Sequence, residues 1–456
     1  MSGSATPLIA AADPGDVVAW RNGESVTAAR FLAEAVQVAD DLPAGRHVLN
    51  LCADRYRFAV AFCAAVLAGK TSLLPPNHSP ELIDRLRELY DDVYVISDSE
   101  QVQTGLRLSP YPQHLPAQGG GAGIGEIPLI DDRQVVAHVF TSGSTGQPTA
   151  HHKRWGPLVY NVQSEAMRLG ITAGSASTVV GTVPAQHMYG FESTVMLALQ
   201  NRIAFNGGSP FYPADIVAAL QAVPAGRFLV TTPFHLRMLL AESLPLPRVE
   251  GVLSATAPLS PDLARQAEAR FGAPLLEIYG CTEAGQLATR RPTQEESWQT
   301  FRGVTITRRD GPGEDEAGWY AQGGHVETPT RLSDVLALQS ADTFRLLGRG
   351  ADMVNVAGKR TSLAYLNHLL CAIPGVIDGA FFNPDETARA VSRLTAFVVT
   401  ETLTPKAILA QLRRSTDAVF LPRPLHLVDR LPRAPTGKLP QAALAELARR
   451  CGGPRR

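Results

Sequence analysis

A cluster of hydroxyl-bearing residues and glycines near position 140 has the composition of an anion-binding loop. The segment 135–149 reads VVAHVFTSGSTGQPT, in which a strand-like apolar run leads into Thr141, Ser142, Gly143, Ser144, Thr145 and Gly146. Glycine lets the backbone approach an anion closely, and successive amide groups can then surround its oxygens. The GxxxxGK[ST] pattern of a Walker A loop is absent. The segment therefore predicts a phosphate-binding loop of another kind, with an ordinary surface loop as the alternative.

A threonine–glutamate pair follows a second strand-like run. The segment 275–285 reads LLEIYGCTEAG, which puts Thr282 and Glu283 just beyond the carboxyl end of the predicted strand. Sheets of the α/β class bind ligands at this edge. A glutamate carboxylate is also a hard oxygen ligand of the kind that Mg²⁺ prefers. The pair is thus a candidate metal and phosphate site, and a solvated turn is the alternative.

The elements that position these residues alternate along the chain. The segments HVLNLCA, TSLLPP and VYVISD read as apolar strands, and FLAEAVQVADDL, FAVAFCAAVLAGK and LIDRLRELYDD read as helices. This alternation predicts a parallel sheet covered by helices. From residue 348 the pattern restarts as a smaller α+β unit. We therefore expect an α/β large N-terminal domain with parallel sheets over residues 1–347 and a small C-terminal α+β domain over residues 348–456.

Composition excludes several classes of protein. In 456 residues, Lys+Arg (42) and Asp+Glu (43) nearly cancel, so nothing indicates a nucleic-acid partner. No apolar run is long enough to span a membrane, and the first residues do not resemble a secretory signal. The five cysteines are scattered without a CxxC spacing, so neither a disulfide framework nor a zinc site is expected. Together these features predict a cytoplasmic protein with reduced thiols.

Five segments, taken in order, resemble the motifs of the adenylate-forming superfamily of acyl-CoA synthetases, non-ribosomal adenylation domains and luciferases. They are TSGSTGQP, YGCTEAG (279–285), LSD (332–334), GRGADMVNVAGKR (348–360) and PTGKL (435–439), and they span nearly the whole chain. The resemblance implies that the protein uses ATP and Mg²⁺ to activate a carboxylic acid as an acyl-adenylate. It also implies transfer of the acyl group to a phosphopantetheine thiol, with a small C-terminal domain that is mobile and rotates about residues 349–352 between the two steps.

The same resemblance implies roles for individual residues around the nucleotide. The hydroxyl-bearing loop would hold the β- and γ-phosphates, and Thr282 would contact the α-phosphate. Glu283 would bind Mg²⁺, and Tyr279 would stack on adenine. Asp334 would accept both ribose hydroxyls. Arg349 and Arg360 would contact ribose and α-phosphate, with surface salt bridges as the alternative.

Further roles concern the acid. Lys438 would neutralise the carboxylate and the α-phosphate as they meet, and Gly280 would leave room for the acyl group. His187, in VPAQHMYGFE (183–192), would gate the acyl pocket or orient the carboxylate, with a purely structural histidine as the alternative. The SATAP segment (254–258) would line adenine and the acid through Ser254, Ala255 and Thr256.

The chain departs from the family pattern at several positions. Thr149 stands where the phosphate loop usually carries a lysine, and Lys153 is a nearby substitute of unknown reach. Ala351 stands where the hinge usually carries an aspartate or lysine. The segment YAQGGHVETPTRLSD replaces the usual glycine-rich stretch before Asp334. These departures bear on ATP affinity and on the hinge.

The compressed motifs resemble stand-alone ligases of aryl-polyene and xanthomonadin pigment clusters. That resemblance implies a small aromatic acid such as a hydroxybenzoate, with His187 or Tyr189 meeting the ring hydroxyl, and a separate acyl carrier protein as acceptor. No carrier-type LGxxS segment follows Lys438. An aryl- or acyl-CoA ligase that uses free coenzyme A is the first alternative. A non-catalytic adenylate-binding protein is the second.

Overall fold

The computed structural model describes residues 4–75, 77–99, 101–102, 104–112, 126–142, 148–257, 259–310, 318–349, 353–356, 359–384, 394–434 and 439–452. Its strands, in chain order, are β1 (Ala5–Pro7), β2 (Val17–Arg21), β3 (Glu24–Thr27), β4 (His47–Asn50), β5 (Thr71–Leu74), β6 (Tyr94–Ser97), β7 (Arg107–Pro110), β8 (Leu129–Asp131), β9 (Val135–Ser142), β10 (Pro148–Arg154), β11 (Thr178–Gly181), β12 (Ala204–Asn206), β13 (Arg227–Thr231), β14 (Gly251–Ser254), β15 (Leu275–Cys281), β16 (Gly285–Arg290), β17 (Trp298–Thr300), β18 (Thr305–Arg309), β19 (Gly318–Gly323), β20 (Val326–Leu332), β21 (Asp334–Leu338), β22 (Thr343–Arg349), β23 (Met353–Val356), β24 (Lys359–Ser362), β25 (Asp378–Phe382), β26 (Thr395–Val399) and β27 (Leu425–Leu427).

The helices begin where the sequence supplies capping residues. Asp54 and Ser79 accept hydrogen bonds from the first turns of their helices, and Pro80 occupies a first-turn position that suits proline. The α-helices are α1 (Ala28–Asp41), α2 (Arg55–Leu67), α3 (Pro80–Leu89), α4 (Trp155–Leu169), α5 (Met188–Gly190), α6 (Leu197–Gln200), α7 (Pro213–Gln221), α8 (Pro233–Ala241), α9 (Pro261–Phe271), α10 (Leu363–Cys371), α11 (Pro405–Ser415) and α12 (Gln441–Gly452). A π-helix, Phe191–Met196, joins α5 to α6, and a short 3₁₀ helix covers Ala418–Phe420.

The first large sheet carries the hydroxyl-rich segment at one side. Its order is β10-β9-β5-β4-β6-β7, and β9, β5, β4, β6 and β7 are parallel to their neighbours. Strand β10 returns antiparallel to β9 and places Thr149 opposite Thr141. The predicted strand–helix alternation is confirmed here, because parallel strands covered by helices read as continuous apolar runs.

The second large sheet carries the Thr–Glu turn. Its order is β21-β22-β17-β16-β15-β14-β13-β11-β12-β2-β3, with parallel pairing from β15 through β2 and antiparallel strands at both ends. Strands β21 and β22 pair so that Asp334 lies opposite Arg349. The parallel α/β fold expected from the sequence is therefore confirmed, and antiparallel edge strands extend it.

The C-terminal strands β25, β26 and β27 form a separate small sheet, which α10, α11 and α12 accompany. Its apolar side chains cluster with one another, apart from the main cluster of residues 8–344. Asp378, on β25, accepts hydrogen bonds from Arg433 at 2.6 and 2.7 Å and lies 3.8 Å from Arg237 of α8. This carboxylate thus contacts both parts of the chain.

Two further expectations from composition can be compared with the structure. All five cysteines are free; Cys52 and Cys63 are buried and the other three are half-buried. Within the described ranges, no helix combines the length and apolar character needed to cross a bilayer.

Candidate active site

A cavity of about 140 Å³ lies at the carboxyl ends of the parallel strands of the second sheet. Residues predicted from distant parts of the sequence line it together: His187, Ala255, Thr256, Tyr279, Gly280 and Thr282. Met188, Tyr189, Glu192, Ile278, Cys281, Gly285 and Gln286 complete the described lining. We call this space the acyl cavity. Its composition, mainly apolar with a few polar groups, is that of a small-molecule site.

Tyr279 and Asp334 meet beside the acyl cavity. The Tyr279 hydroxyl donates a hydrogen bond to Asp334 Oδ2 at 2.7 Å, and both residues are buried. The tyrosine ring packs against Trp298 and Phe344, with ring centroids 5.7 and 5.5 Å away. Two residues expected to bind the nucleoside therefore form one rigid unit. Stacking of Tyr279 on adenine stays a prediction.

Gly280 lines the acyl cavity, as expected, and is also required by the packing of the sheet. A Cβ atom at this position would lie 2.3 Å from the Gly285 carbonyl oxygen and 2.8 Å from Gln286 Cα. A β-bulge between Tyr279 and Gly280 brings β16 this close. Close approach of the next strand is thus one role of Gly280, and room for the acyl group stays a prediction.

The turn between β15 and β16 exposes Glu283 and leaves Thr282 half-buried. Lys153 Nζ donates a hydrogen bond to the Glu283 carbonyl oxygen at 3.1 Å. The Lys153 ammonium therefore reaches the Thr–Glu turn from strand β10. Thr149 lies earlier on the same strand. Whether Lys153 takes the place of the lysine absent at Thr149 stays a prediction.

A Mg²⁺ ion at Glu283 would need ligands from the nucleotide. Among the described residues, no group of three His, Cys, Asp or Glu side chains is placed to hold a metal. Magnesium in nucleotide sites commonly takes one or two carboxylates and completes its octahedron with phosphate oxygens and water. An exposed carboxylate such as Glu283 fits that arrangement.

The strand ends also position Thr141 and the SATAP segment. Thr141 Oγ1 lies 2.9 Å from His151 Nε2, across the β9–β10 pair. Ser254 ends β14 and is fully buried, whereas Ala255 and Thr256 reach the acyl cavity. Thr256 has a φ of 78°, which turns the chain across the end of the sheet.

A buried arginine holds the segment that leads to His187. Arg55 is fully buried and donates to the carbonyl oxygens of Gly181 and Val183 at 2.8 and 2.9 Å, and to Thr194 Oγ1 at 2.7 Å. Burial lowers the pKa of Arg55 to about 10, so it stays charged near neutral pH. Because these bonds join β11 to the π-helix, His187 is anchored on both sides.

The Tyr189 hydroxyl is held by the backbone of the sheet, and its contact with a substrate hydroxyl stays a prediction. Its oxygen lies 3.1 and 3.0 Å from the carbonyl oxygens of Thr231 and Leu253, which share its single proton. Both acceptors are backbone groups at the ends of β13 and β14, so the Tyr189 hydroxyl fastens the π-helix region to the sheet.

The acyl cavity borders a second cavity of about 100 Å³, which we call the side cavity. Glu192 and Gly285 line both. The side cavity is otherwise polar, with Lys153, Asn161, Glu283 and His325 in its walls. Asn161 Nδ2 donates to Glu192 Oε1 at 2.9 Å.

Two buried carboxyl groups lie in this region. Burial raises the pKa of Glu192 to about 7, against the opposing charge of Lys153. Burial raises the pKa of Glu165 to about 8, and the neighbouring Glu192 adds to the rise. Burial also lowers the pKa of Lys153. These shifts mark a desolvated polar cluster, as functional sites often contain.

Some predicted residues cannot be compared with the structure. Gly143, Ser144, Thr145, Gly146 and Lys438 lie outside the described residues. Ser142, Arg349 and Arg360 are described only through their backbone, at the end of β9, at the end of β22 and in β24. Their roles stay predictions.

Sequence reasoning did not find Glu192, Gln286 or Asn161. Glu192 stands in the run FESTVMLALQN, whose pattern predicts a helix without marking this residue. The sequence signal for a buried functional residue was a single charge within a run of apolar and small residues. Its partner Asn161 lies on another helix, α4, so the pairing could not be read from local pattern.

Comparison with known proteins agrees with this geometry. A 4-coumarate–CoA ligase from Halorhodospira halophila is 29% identical over 308 residues, covering 66% of this chain and 73% of the ligase. A fatty acid–[acyl-carrier-protein] ligase, MmaC, from Mycobacterium marinum is 23% identical over 471 residues, covering 86% and 85% of the two chains.

A solved structure shares the fold. The o-succinylbenzoate CoA synthetase MenE from Bacillus subtilis, in complex with the acyl-adenylate intermediate OSB-AMP, matches with a TM-score of 0.80 at 17% identity. The match covers 97% of this chain and 98% of that one. The sequence profile of the AMP-binding enzyme family matches residues 9–307, about two thirds of the chain. The chain therefore belongs to the AMP-binding enzyme family, the adenylate-forming superfamily that its motifs resemble, and it is an AMP-forming acid–thiol ligase.

Proposed function

We propose that this protein activates an aromatic carboxylic acid with ATP and transfers the acyl group to the thiol of coenzyme A. The observation that carries the proposal is the acyl cavity, where the motif residues Tyr279 and Thr282 lie with His187 around one space. Tyr279 joins this space to Asp334, the residue expected to bind ribose. An acid in the cavity would thus lie next to a bound nucleotide.

Two displacements make up the reaction. A carboxylate oxygen of the acid attacks the α-phosphorus of ATP, and pyrophosphate leaves. The thiolate sulfur then attacks the acyl carbonyl carbon, and AMP leaves with the oxygen that came from the acid. Mg²⁺, when bound, supplies positive charge to the departing phosphates.

Residues of this chain would assist the first displacement through charge and hydrogen bonds. Thr282 donates to the α-phosphate, and Lys438 neutralises the approaching carboxylate. Glu283 holds the metal. Lys153 takes the place of the lysine that Thr149 replaces, and its contact with the Glu283 carbonyl supports this assignment. Preorganised charge of this kind is commonly the largest catalytic contribution.

The size of the acyl cavity supports an aromatic acid. A cavity of about 150 Å³ can hold one benzene molecule, and the acyl cavity measures about 140 Å³. A hydroxybenzoate is the specific acid that the sequence resemblance favours.

Coenzyme A is the preferred acceptor because both the coumarate ligase and MenE are CoA ligases by name. An acyl carrier protein is the second candidate, favoured by the similarity to MmaC, which covers more of the chain. We further propose that residues 1–347 and 348–456 form the two domains and that the second rotates about residues 349–352 between the displacements. A non-catalytic adenylate-binding protein is the remaining alternative.

Pyrophosphate release measured over a panel of benzoates, hydroxybenzoates and fatty acids tests the proposal. We expect release that depends on ATP, Mg²⁺ and an aromatic acid, and thioester formation when coenzyme A is added. If a thioester forms only with a holo carrier protein, the acceptor is the acyl carrier protein and not coenzyme A. No acid-dependent release with any acid would support the non-catalytic alternative and contradict the proposal.

A further inference from the structure

Glu192 places a buried carboxyl group in the wall of the acyl cavity. The residue lies in the π-helix, is 2% exposed and lines both the acyl cavity and the side cavity. Its Oε1 atom accepts a hydrogen bond from Asn161 Nδ2. Among the described residues, Oε2 has no hydrogen-bond partner. A ligand that donates a hydrogen bond to this oxygen would therefore be favoured over one that cannot.

Gly285 lies beside this carboxyl group. A Cβ atom at position 285 would lie 3.3 Å from Glu192 Oε1 and 2.9 Å from Asn161 Nδ2. The glycine has a φ of 83°, a conformation that disfavours other residues. A side chain at position 285 would therefore crowd the hydrogen bond between Asn161 and Glu192 Oε1, at the place where Gly285 and Glu192 line both cavities.

Lys153 lowers the pKa of Glu192 through its charge, but the cations near Glu192 make their direct contacts with other groups. Lys153 donates to the Glu283 carbonyl oxygen, and Arg154 forms an ion pair with Glu327 at 2.8 Å. Within the part of the chain that the structure describes, no cation forms an ion pair with Glu192. The cluster around Glu192 consequently lacks a donor, besides Asn161, that would satisfy the carboxyl group.

We infer that the acid substrate carries a hydrogen-bond donor, a hydroxyl or amino group, at the end remote from its carboxylate, and that Glu192 accepts a hydrogen bond from it. This inference rests on the proposed function. The carboxylate of the acid would point to Thr282, beside the proposed nucleotide site. The hydroxyl or amino group of the acid would point to Glu192, where the acyl cavity adjoins the side cavity. Glu192 is then a specificity-determining residue, because an acid without the donor would leave a buried acceptor unpaired.

The test compares ring-substituted benzoates that differ only in the donor. We expect 4-hydroxy- or 3-hydroxybenzoate, or the matching aminobenzoate, to exceed benzoate and the matching methylbenzoate at least tenfold in kcat/KM for pyrophosphate release. Glu192→Leu should lower kcat/KM for the donor-bearing acid about 10- to 100-fold, mainly through KM, and should not lower it for the methyl analogue. Glu192→Gln retains an acceptor oxygen and should keep part of the preference.

Glu165 provides the matched control. Its carboxyl group is buried in the same cluster, but both oxygens are sealed from solvent and the residue lines neither cavity. Glu165→Gln should therefore leave the ratio between hydroxy and methyl acids unchanged. An unchanged ratio in Glu192→Leu, or a wild-type protein that treats the two acids alike, would overturn the inference.

Calorimetric binding of the same acids separates this inference from the proposed function. If no acid releases pyrophosphate but the hydroxy acid still binds tightly in a Glu192-dependent manner, the proposed reaction is wrong and the recognition is supported. If acids are turned over without any donor preference, the reaction stands and the recognition is wrong. Equal or absent binding of hydroxy and methyl acids would contradict the role of Glu192 directly.

Discussion

Replacing Glu165 with glutamine should change how stability depends on pH. The Glu165 carboxyl group is fully buried, and the nearby Ser193 and Gln286 offset only part of the effect of burial on its pKa. Burial raises its pKa from 4.5 to about 8. Below pH 4.5 both the folded and the unfolded chain hold the proton. Between pH 4.5 and 8 the unfolded chain releases it while the folded chain retains it, so stability falls as the pH rises.

The size of the effect follows from the pKa. At ~1.4 kcal/mol per pKa unit, a rise in the pKa from 4.5 to about 8 corresponds to roughly 5 kcal/mol of unfolding free energy. Glutamine has nearly the shape of the neutral acid and carries no titrating proton. We therefore expect Glu165→Gln and the wild type to be similar at pH 5, and the variant to be more stable by several kcal/mol at pH 8.5.

Urea denaturation followed by tryptophan fluorescence at pH 5, 7 and 8.5 measures this difference. Glu268→Gln is a control of opposite sign. Although burial raises the pKa of Glu268, hydrogen bonds from Arg291 and the Leu275 amide lower it overall. The contribution of Glu268 to the free energy of unfolding is present above pH 4.5 and is lost as the pH falls. Glu268→Gln should therefore lower the free energy of unfolding most at neutral pH. The same difference in unfolding free energy between Glu165→Gln and the wild type at every pH would refute the reasoning.

Three further predictions concern the nucleotide. Tyr279→Phe removes the hydrogen bond to Asp334, so the KM for ATP should rise roughly tenfold with little change in the KM for the acid; an unchanged KM for ATP would contradict the pairing. Lys153→Met should likewise raise the KM for ATP about tenfold, as measured by pyrophosphate release, and equal ATP dependence would show that this ammonium does not replace the lysine absent at Thr149. Lys438→Ala should abolish adenylate formation yet retain thioester formation from supplied acyl-adenylate, and equal loss of both reactions would reject the proposed role of Lys438.

The fold was largely predictable because its strands are buried on both faces. Parallel strands such as β4 and β5 read as short apolar runs, and the helix between them has apolar residues nearly all round. The antiparallel return of β10 was not predicted. Its sequence PTAHHKR is polar, and only its pairing with β9 makes it a strand.

The candidate site was predictable where motifs are local and not where contacts are distant. Thr282 and Tyr279 stand in one motif, and both reach the acyl cavity. The bond between Tyr279 and Asp334 joins residues far apart in sequence. The apolar pattern of the π-helix does not distinguish it from an α-helix, because both hydrogen-bond spacings fit the same run of buried residues. Thr194 Oγ1 donates to the Gly190 carbonyl oxygen in this segment.

The role of Glu192 illustrates the same limit. A charged residue in a helix is ordinarily assigned to the solvent face. Here the helix is covered on every side, and Glu192 is buried against Asn161 of α4. Only the tertiary arrangement shows that its carboxyl group belongs to the acyl cavity.

Isotope transfer tests the central claim, formation of an acyl-adenylate, most directly. The protein would be incubated with ATP, Mg²⁺, coenzyme A and a hydroxybenzoate labelled with ¹⁸O in both carboxylate oxygens, and the nucleotide product analysed by mass spectrometry. We predict that AMP is formed and carries one ¹⁸O atom from the acid. AMP without the label, or ADP in place of AMP, would contradict an acyl-adenylate intermediate.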